Sequence, residues 1–410
     1  MKLQLHDDVQ FIYELILARK EASVFVDDYF VSDDMREFEV VSGIDVKKII
    51  KRCAYFKLVN GLLSDYHWLR NFNRTRSFNQ YLTHWFYPYK GKFHPQMIRA
   101  FLNIAQVDSG DWLLDPFVGS GTAALEAQLL GINFIGFDIS PLCILQSKVK
   151  TQSLDVLDTI ADLQNEVESF CIEGSEKPNL EDIDDERVKN FYRLAEMIAL
   201  SDRERRRRDF KKSFISTVDK MVHSLGDYKA AVDFLGLELG KVDLRIADSR
   251  NLPLESGCVD VIITSPPYSM ALDYIENDCH SLQAMGCDLT ELRSKFIGLR
   301  GKGLERVNYY FEDMEKCYRE MYRVLKPGSK CIVVVGNVTY QGKEVKISDW
   351  TKNVCIKCGF KLVEEIPKVI FGLYNFIQRE FIQIYEKPNN SNILFFPRGK
   401  REERIAYCDG

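Results

Sequence analysis

The chain has 410 residues, 46% of them apolar, and a formal net charge of -5. That is more than one ordinary domain needs and enough apolar content for a large core, so the expectation is one large α/β domain with appended helical parts. No run of about 18 apolar residues occurs, which excludes a membrane-spanning helix, and Met1 to Asp8 lacks the basic-then-apolar order of a secretory signal.

Residues 1–85 combine a helix-period stretch around Val9, Ile12, Leu15 and Ile16 with a segment where Arg70, Arg74 and Arg76 stand among Phe72, Phe78 and Tyr81. They are expected to form an amino-terminal accessory region. From Trp112 onward, short apolar runs alternate with helical stretches, the pattern of a parallel sheet covered by helices. Strands are expected at Trp112 to Leu114, Asn133 to Phe137, Val242 to Ile246, Val259 to Ile263, Cys331 to Val335 and Glu380 to Tyr385. Residues 86–150 and 241–386 are thereby two parts of one sheet domain. Between them, residues 151–240 are charged and carry Leu154, Leu157, Ala161 and Phe170 at helix spacing. This is too long for a loop, so an inserted helical subdomain is expected. Residues 387–410 are expected to be a tail with a flexible start at Lys387 to Asn392.

The 11 cysteines are scattered and are expected to stay reduced, as in a cytoplasmic protein. Cys355 and Cys358 form one close pair, but no second pair or spaced histidines stand nearby to complete a zinc site. Basic residues are clustered in spite of the negative total. Arg203, Arg205, Arg206, Arg207, Arg208, Lys211 and Lys212 form one block, and Arg293, Lys295, Arg300, Lys302 and Arg306 another. Such blocks arise either as solvated helix faces or as contacts to a polyanion, and only chemistry elsewhere in the chain decides between them.

The first informative segment is Asp115-Pro116-Phe117-Val118-Gly119-Ser120-Gly121-Thr122, placed after a strand and before the helical run Ala123 to Leu130. Two glycines let the backbone turn sharply and pass close to a ligand, and the helix amino end offers free N–H groups. The next strand ends in Asp138, about 17 residues beyond Gly121, where an acid meets the ribose hydroxyls of an adenosine cofactor. A dinucleotide fits that spacing too. The third glycine of the dinucleotide fingerprint is missing, however, and an acid at Asp115 suits the amino acid end of S-adenosylmethionine better than a pyrophosphate.

The second segment is the strand Val259 to Ile263 running into Thr264-Ser265-Pro266-Pro267-Tyr268. Two adjacent prolines remove two N–H donors and hold the backbone extended, so a rigid edge with outward carbonyls follows the strand. That edge can accept hydrogen bonds from an amino group, and Tyr268 can stack on a planar base. The bland alternative is that the prolines end the strand and Tyr268 packs in the core.

Together, Asp115 to Thr122 and Thr264 to Tyr268 resemble the amino-methyltransferase family of DNA methylases. His94-Pro95-Gln96-Met97-Ile98-Arg99, with Lys90-Gly91-Lys92-Phe93 before it, is similar to the family segment that precedes the glycine turn and helps hold the cofactor's methionine end. Ala247-Asp248-Ser249-Arg250-Asn251-Leu252-Pro253 is similar to the one whose acid binds the adenine amino group, and Tyr318 to Gly328 to the helix and turn before the fifth strand. The resemblance covers roughly residues 85–150 and 240–386. It implies a Rossmann-like class I methyltransferase sheet with helices on both faces, and S-adenosylmethionine as cofactor. Cofactor contacts are implied for His94, Asp115, Phe117, Gly119, Gly121, Thr122, Asp138, Ile139, Asp248 and Ser249, and a catalytic role for Ser265, Pro266, Pro267 and Tyr268. A bacterial or archaeal source and double-stranded DNA with a flipped target base are implied as well. A cognate restriction endonuclease is left open as a further partner.

The Ser-Pro-Pro-Tyr form resembles enzymes acting on the cytosine amino group, since adenine-modifying members usually carry Asp or Asn where Ser265 stands. An aromatic amine is a poor nucleophile, so acceptors from the Ser265 hydroxyl and the Pro266 carbonyl would orient it, with the sulfonium supplying the driving force and positioning most of the rest. No Pro-Cys pair exists to serve ring-carbon methylation. A polyanionic substrate raises the weight on Arg205, Arg206, Arg207, Arg208 and Arg300 as nucleic-acid contacts. Adenine methylation of DNA, guanine amino methylation of RNA and a catalytically silent nucleic-acid-binding subunit stay open as alternatives. No large recognition domain follows Tyr385, so target reading falls to the insertion, the amino-terminal region or residues 269–310.

Overall fold

The computed structural model describes residues 1–43, 45–73, 77–169, 177–268, 272–368 and 377–389. Arg74, Arg76, Phe170 and the tail beyond 389 lie outside them. The amino-terminal part is a small antiparallel sheet of Lys2–Leu5 (β1), Asp28–Val31 (β2), Glu37–Ser42 (β3), Phe56–Val59 (β4) and Leu62–Leu63 (β5), in the order β2-β3-β1-β4-β5. Helices Ile12–Phe25 (α1), Val46–Arg52 (α2) and Asp65–Asn71 (α3) accompany it. Only α1 is visible as periodicity in the sequence. Strands this short bury few alternating positions, so the sheet leaves little pattern to read.

After Pro95–Ala105 (α4) the large sheet begins with Trp112–Asp115 (β6), Thr122–Leu129 (α5), Asn133–Asp138 (β7) and Pro141–Gln152 (α6). The inserted residues form Leu157–Glu168 (α7), Glu186–Arg206 (α8) and Phe210–Leu235 (α9), which pack with α6 around Leu145, Phe191, Phe214 and Leu225. The sheet resumes with Val242–Ile246 (β8) and Val259–Thr264 (β9). Three short helices follow, Tyr274–Asn277 (α10), Cys279–Ala284 (α11) and Leu289–Lys295 (α12), then Gly303–Val324 (α13). The remainder is Leu325–Tyr340 (β10), Lys343–Val345 (β11), Ile347–Lys357 (α14), Lys361–Lys368 (β12) and Ile377–Glu386 (β13).

The strand order is β12-β13-β10-β9-β6-β7-β8, with β11 pairing β10 off this path. Strands β8, β7, β6, β9 and β10 are mutually parallel, and β13 is antiparallel to both its neighbours. This is a Rossmann-like doubly wound sheet. Its apolar runs are nearly continuous because both faces are covered. Leu113, Val261, Ile263, Ile332 and Ile382 enter one core with α1, α4 and the amino-terminal strands, while Leu114, Ile262, Val333 and Val335 enter another with α13 and α14.

Six strands expected from the apolar runs are present, but β10 is far longer than Cys331 to Val335, and β12 was not expected. Lys-Leu-Val-Glu-Glu-Ile-Pro-Lys lacks a strong apolar run because β12 is the sheet edge, where Pro367 costs no ladder donor. Lys387 is not the loose start of a tail. Its N–H donates to the Ser329 carbonyl at 2.9 Å, and its Nζ donates to the Tyr322 and Leu325 carbonyls, each at 2.7 Å. Cys355 and Cys358 are buried in and just after α14, and no metal-binding cluster is found among the described residues. No described helix is long and apolar enough to cross a membrane.

Candidate active site

The strand order reverses between β6 and β9, and in such sheets ligands bind outside the carboxyl ends of the strands at that point. A cleft open to solvent lies there. It is lined by Phe117, Gly119, Asp138, Ile139, Asp248, Ser249, Ser265, Pro266, Pro267 and Tyr268, so the two sequence segments meet in one place.

The glycine turn is built by positive backbone angles at Gly119 (φ 50°) and Gly121 (φ 74°). A Cβ on Gly121 would stand 2.6 Å from Ser147 Oγ, so the turn can pack on α6 only with hydrogen at that position. The Asp138 carboxylate stabilises the turn from the end of β7, accepting from Gly119 N–H at 3.0 Å and Ser140 N–H at 2.9 Å. Burial outweighs these bonds and pushes its pKa up to about 6. Asp115, at the end of β6, is fully buried. Its Oδ1 accepts from the Thr264 hydroxyl at 2.6 Å and Phe117 N–H at 3.0 Å. Its Oδ2 has no partner among the described residues, and burial raises its pKa to about 7.

Asp115, Gly121, Thr122 and His94 do not line the cleft. Thr122 is buried at the start of α5, with its hydroxyl 3.0 Å from that of Ser120. His94 precedes Pro95 at the start of α4, and burial lowers its pKa to about 4. Asp248 lines the cleft but is engaged with Arg250, whose guanidinium also donates to the buried Asp313 at 2.9 Å. The Ser249 hydroxyl donates to the Pro116 carbonyl, tying the segment after β8 to the glycine turn.

At the Ser-Pro-Pro-Tyr edge the Ser265 hydroxyl donates to the Val334 carbonyl at 3.0 Å. With its proton directed there, the oxygen keeps lone pairs for an incoming N–H. Pro266 accepts no hydrogen bond from a described residue. Tyr268 is 6% exposed, so it is both a core residue and a wall of the cleft.

Sequence reasoning missed Tyr89, Val118, Ser120, Tyr274, Lys295, Phe296 and Ile297 as lining residues. The rings of Tyr89, Tyr274 and Phe296 stack in a row, with centroids 6.0 and 6.1 Å apart. For Tyr89 the available signal was the aromatic run Trp85 to Tyr89 directly before Lys90 to Phe93. Arg205 to Arg208 and Arg300 do not line the cleft. Arg205 donates to the Asn277 carbonyl and, at 3.0 Å, to Asp278; Arg206 and Arg208 pair with Asp202; Arg207 caps α8 in a left-handed conformation. Arg300 pairs with Asp313 at 2.6 Å.

These residues fit S-adenosylmethionine. The turn brings Gly119 to the wall of the cleft, and Asp138 and Asp248 in the same wall offer acceptors to hydroxyl and amino groups.

Comparison with known proteins agrees. The family model described as DNA methylase matches residues 45–148 and 259–403, more than half of the chain. The chain is 40% identical over 116 residues to the type II methyltransferase M.MjaII of Methanocaldococcus jannaschii, covering 28% of this chain and 20% of that protein. It is 22% identical over 407 residues to the type II methyltransferase M.BsoBI of Geobacillus stearothermophilus, covering 70% of this chain and 80% of that protein. It is 31% identical over 104 residues to a tRNA (guanine(10)-N2)-dimethyltransferase of M. jannaschii, covering 25% of this chain and 29% of that protein. The matched segment thus spans about a fifth of M.MjaII and most of M.BsoBI. With its glycine turn and Ser-Pro-Pro-Tyr edge facing one cleft and the family match running through both, the chain belongs to the DNA methylase family.

Proposed function

We propose that the chain transfers a methyl group from S-adenosylmethionine to the exocyclic amino group of a base in double-stranded DNA, cytosine in the first instance. The observation that carries this reading is the convergence of Gly119 and Asp138 with Ser265 to Tyr268 in one cleft. Bound S-adenosylmethionine supplies an electrophilic methyl on its sulfonium.

The protein's part is orientation. An exocyclic amine has two hydrogens and a lone pair delocalised into the ring. Ser265 Oγ and the Pro266 carbonyl are two acceptors able to take those hydrogens and turn the lone pair toward the methyl. Tyr268 offers an aromatic wall for a base turned out of the helix. Serine at position 265 favours cytosine over adenine by resemblance to the family pattern. Arg205 to Arg208 and Arg300 are proposed as phosphate contacts, since the exposed pairs of Arg206 and Arg208 with Asp202 are weak enough to exchange for phosphate.

The test is to incubate the chain with methyl-labelled S-adenosylmethionine and either duplex DNA or tRNA, then digest to nucleosides for mass spectrometry. Label on the exocyclic nitrogen of deoxycytidine is the expected result. Label on deoxyadenosine reassigns the base, and label confined to tRNA guanosine overturns the DNA reading. Cofactor binding without transfer to either polymer identifies a silent binding subunit.

A further inference from the structure

Among the described residues, Glu380 and Lys368 form a nearly buried ion pair that reaches the catalytic edge from the far strands of the sheet. They face each other across β12 and β13 in direct register, with side chains 12% and 18% exposed. Neither lines the cleft. Glu380 Oε2 accepts from Lys368 Nζ, and Glu380 Oε1 lies 3.3 Å from the Tyr268 hydroxyl. The phenol oxygen is also 3.3 Å from Ser265 Oγ and 3.4 Å from the Val334 carbonyl.

One phenol carries one proton, and the carboxylate is the stronger acceptor. Directing the Tyr268 proton to Glu380 leaves the Val334 carbonyl to the Ser265 hydroxyl, 3.0 Å away, and every donor in the cluster is then assigned once. Lys368 neutralises the carboxylate, which desolvation would otherwise penalise. Its ammonium also lies 5.9 Å from the Tyr13 ring centroid on α1, which ties the brace to the amino-terminal part.

We propose that Glu380, held by Lys368, is a positioning residue that fixes the Tyr268 ring and, through the sharing of Val334, the Ser265 hydroxyl. The inference rests on the methyl-transfer reading above. It assigns a role in that site to two outer strands, β12 and β13, whose described residues do not line the cleft.

The experiment compares the parent with Glu380→Gln, Tyr268→Phe and the double variant. It measures single-turnover methyl transfer, cofactor affinity and the carbon-13 resonance of the Tyr268 ring carbon bearing the hydroxyl, assigned by its loss in Tyr268→Phe. Glu380→Gln is expected to move that resonance and slow transfer about tenfold, as loss of one charge-assisted hydrogen bond should, with cofactor affinity unchanged. The double variant is expected to be no slower than Tyr268→Phe. Additive losses, or a parental rate with an unmoved resonance, overturn the proposal. If the parent transfers no methyl yet the resonance moves, the brace stands and the methyl-transfer reading fails; if neither occurs, both fail. Should Glu380→Gln unfold, the paired Glu380→Gln/Lys368→Gln variant, which leaves no unpaired charge, replaces it.

Discussion

The Asp115 carboxylate accepts a 2.6 Å hydrogen bond from the Thr264 hydroxyl, joining the ends of β6 and β9 at the reversal of strand order. One residue opens the glycine turn and the other directly precedes the Ser-Pro-Pro-Tyr edge, so this bond ties the two segments together. It also orients the acid, because Oδ1 accepts from both Thr264 and Phe117 while Oδ2 has no partner among the described residues.

Asp115→Asn should weaken S-adenosylmethionine binding by about 1.5 to 3 kcal/mol, the range for a hydrogen bond to a charged group. Titration calorimetry at pH 8 checks this, and parental affinity would remove Asp115 from the cofactor site.

The same acid makes stability depend on pH. Its folded pKa, about 7, is raised above the ordinary 3.8, so the folded state holds a proton that the unfolded chain releases. Its contribution is therefore complete below pH 3.8 and is lost as pH rises through about 7. Asp138, raised to about 6, acts in the same direction. Between pH 5 and 8, roughly, the Tm of ligand-free Asp115→Asn should fall less steeply than that of the parent, as that linkage requires. Parallel Tm curves would show that Asp115 is ionised throughout.

Gly121→Ala should destabilise the fold by about 2 to 4 kcal/mol, combining strain at positive φ with overpacking. The added carbon meets the Ser147 backbone at 3.0 Å as well as its side chain, so a rotamer change on α6 is no escape. Urea denaturation measures the loss.

Ser265→Ala should reduce turnover more than substrate binding, since its oxygen is needed chiefly as the amine approaches the methyl. Tyr268→Ala should leave cofactor affinity intact and remove base stacking worth about 1 to 3 kcal/mol. Parental single-turnover rates in both variants would refute the catalytic assignment. Loss of cofactor binding in Tyr268→Ala would move the tyrosine to the cofactor pocket.

Replacing Arg206, Arg207 and Arg208 by serine should lower the salt dependence of DNA binding by a slope of about 0.9 for each phosphate that the protein no longer neutralises. Arg205 is kept in this variant because it secures Asn277 and Asp278, which adjoin the helix carrying Tyr274. An unchanged slope would make the block a solvated helix end.

What the sequence by itself determined are the features that local chain physics imposes. Strands in the middle of a covered sheet must be largely apolar, so β6, β7, β9 and the centre of β10 were legible as apolar runs, as was the helical character of the insertion. Strand β8 at the edge and β13 showed as shorter apolar stretches. The glycine turn and the paired prolines were legible because each is a backbone requirement written at one position: Gly121 needs positive φ, and Pro266-Pro267 cannot continue a ladder.

Only the tertiary structure decided what depends on distant partners. The stacked row of Tyr89, Tyr274 and Phe296 comes from separate segments without a common motif, so no local pattern marks its members. The amino-terminal sheet is built from strands of two to six residues whose burial comes from packing on α4 and the large sheet, not from their own periodicity. The edge strand β12 carries half-exposed charge, yet its Lys368 reaches Glu380 and through it Tyr268. Arg250 finds Asp313 across 63 positions of the chain, and Arg205 finds Asp278 across 73. Side-chain electrostatics and ring packing act through space, and their pairing is fixed by the fold and not by neighbours in sequence.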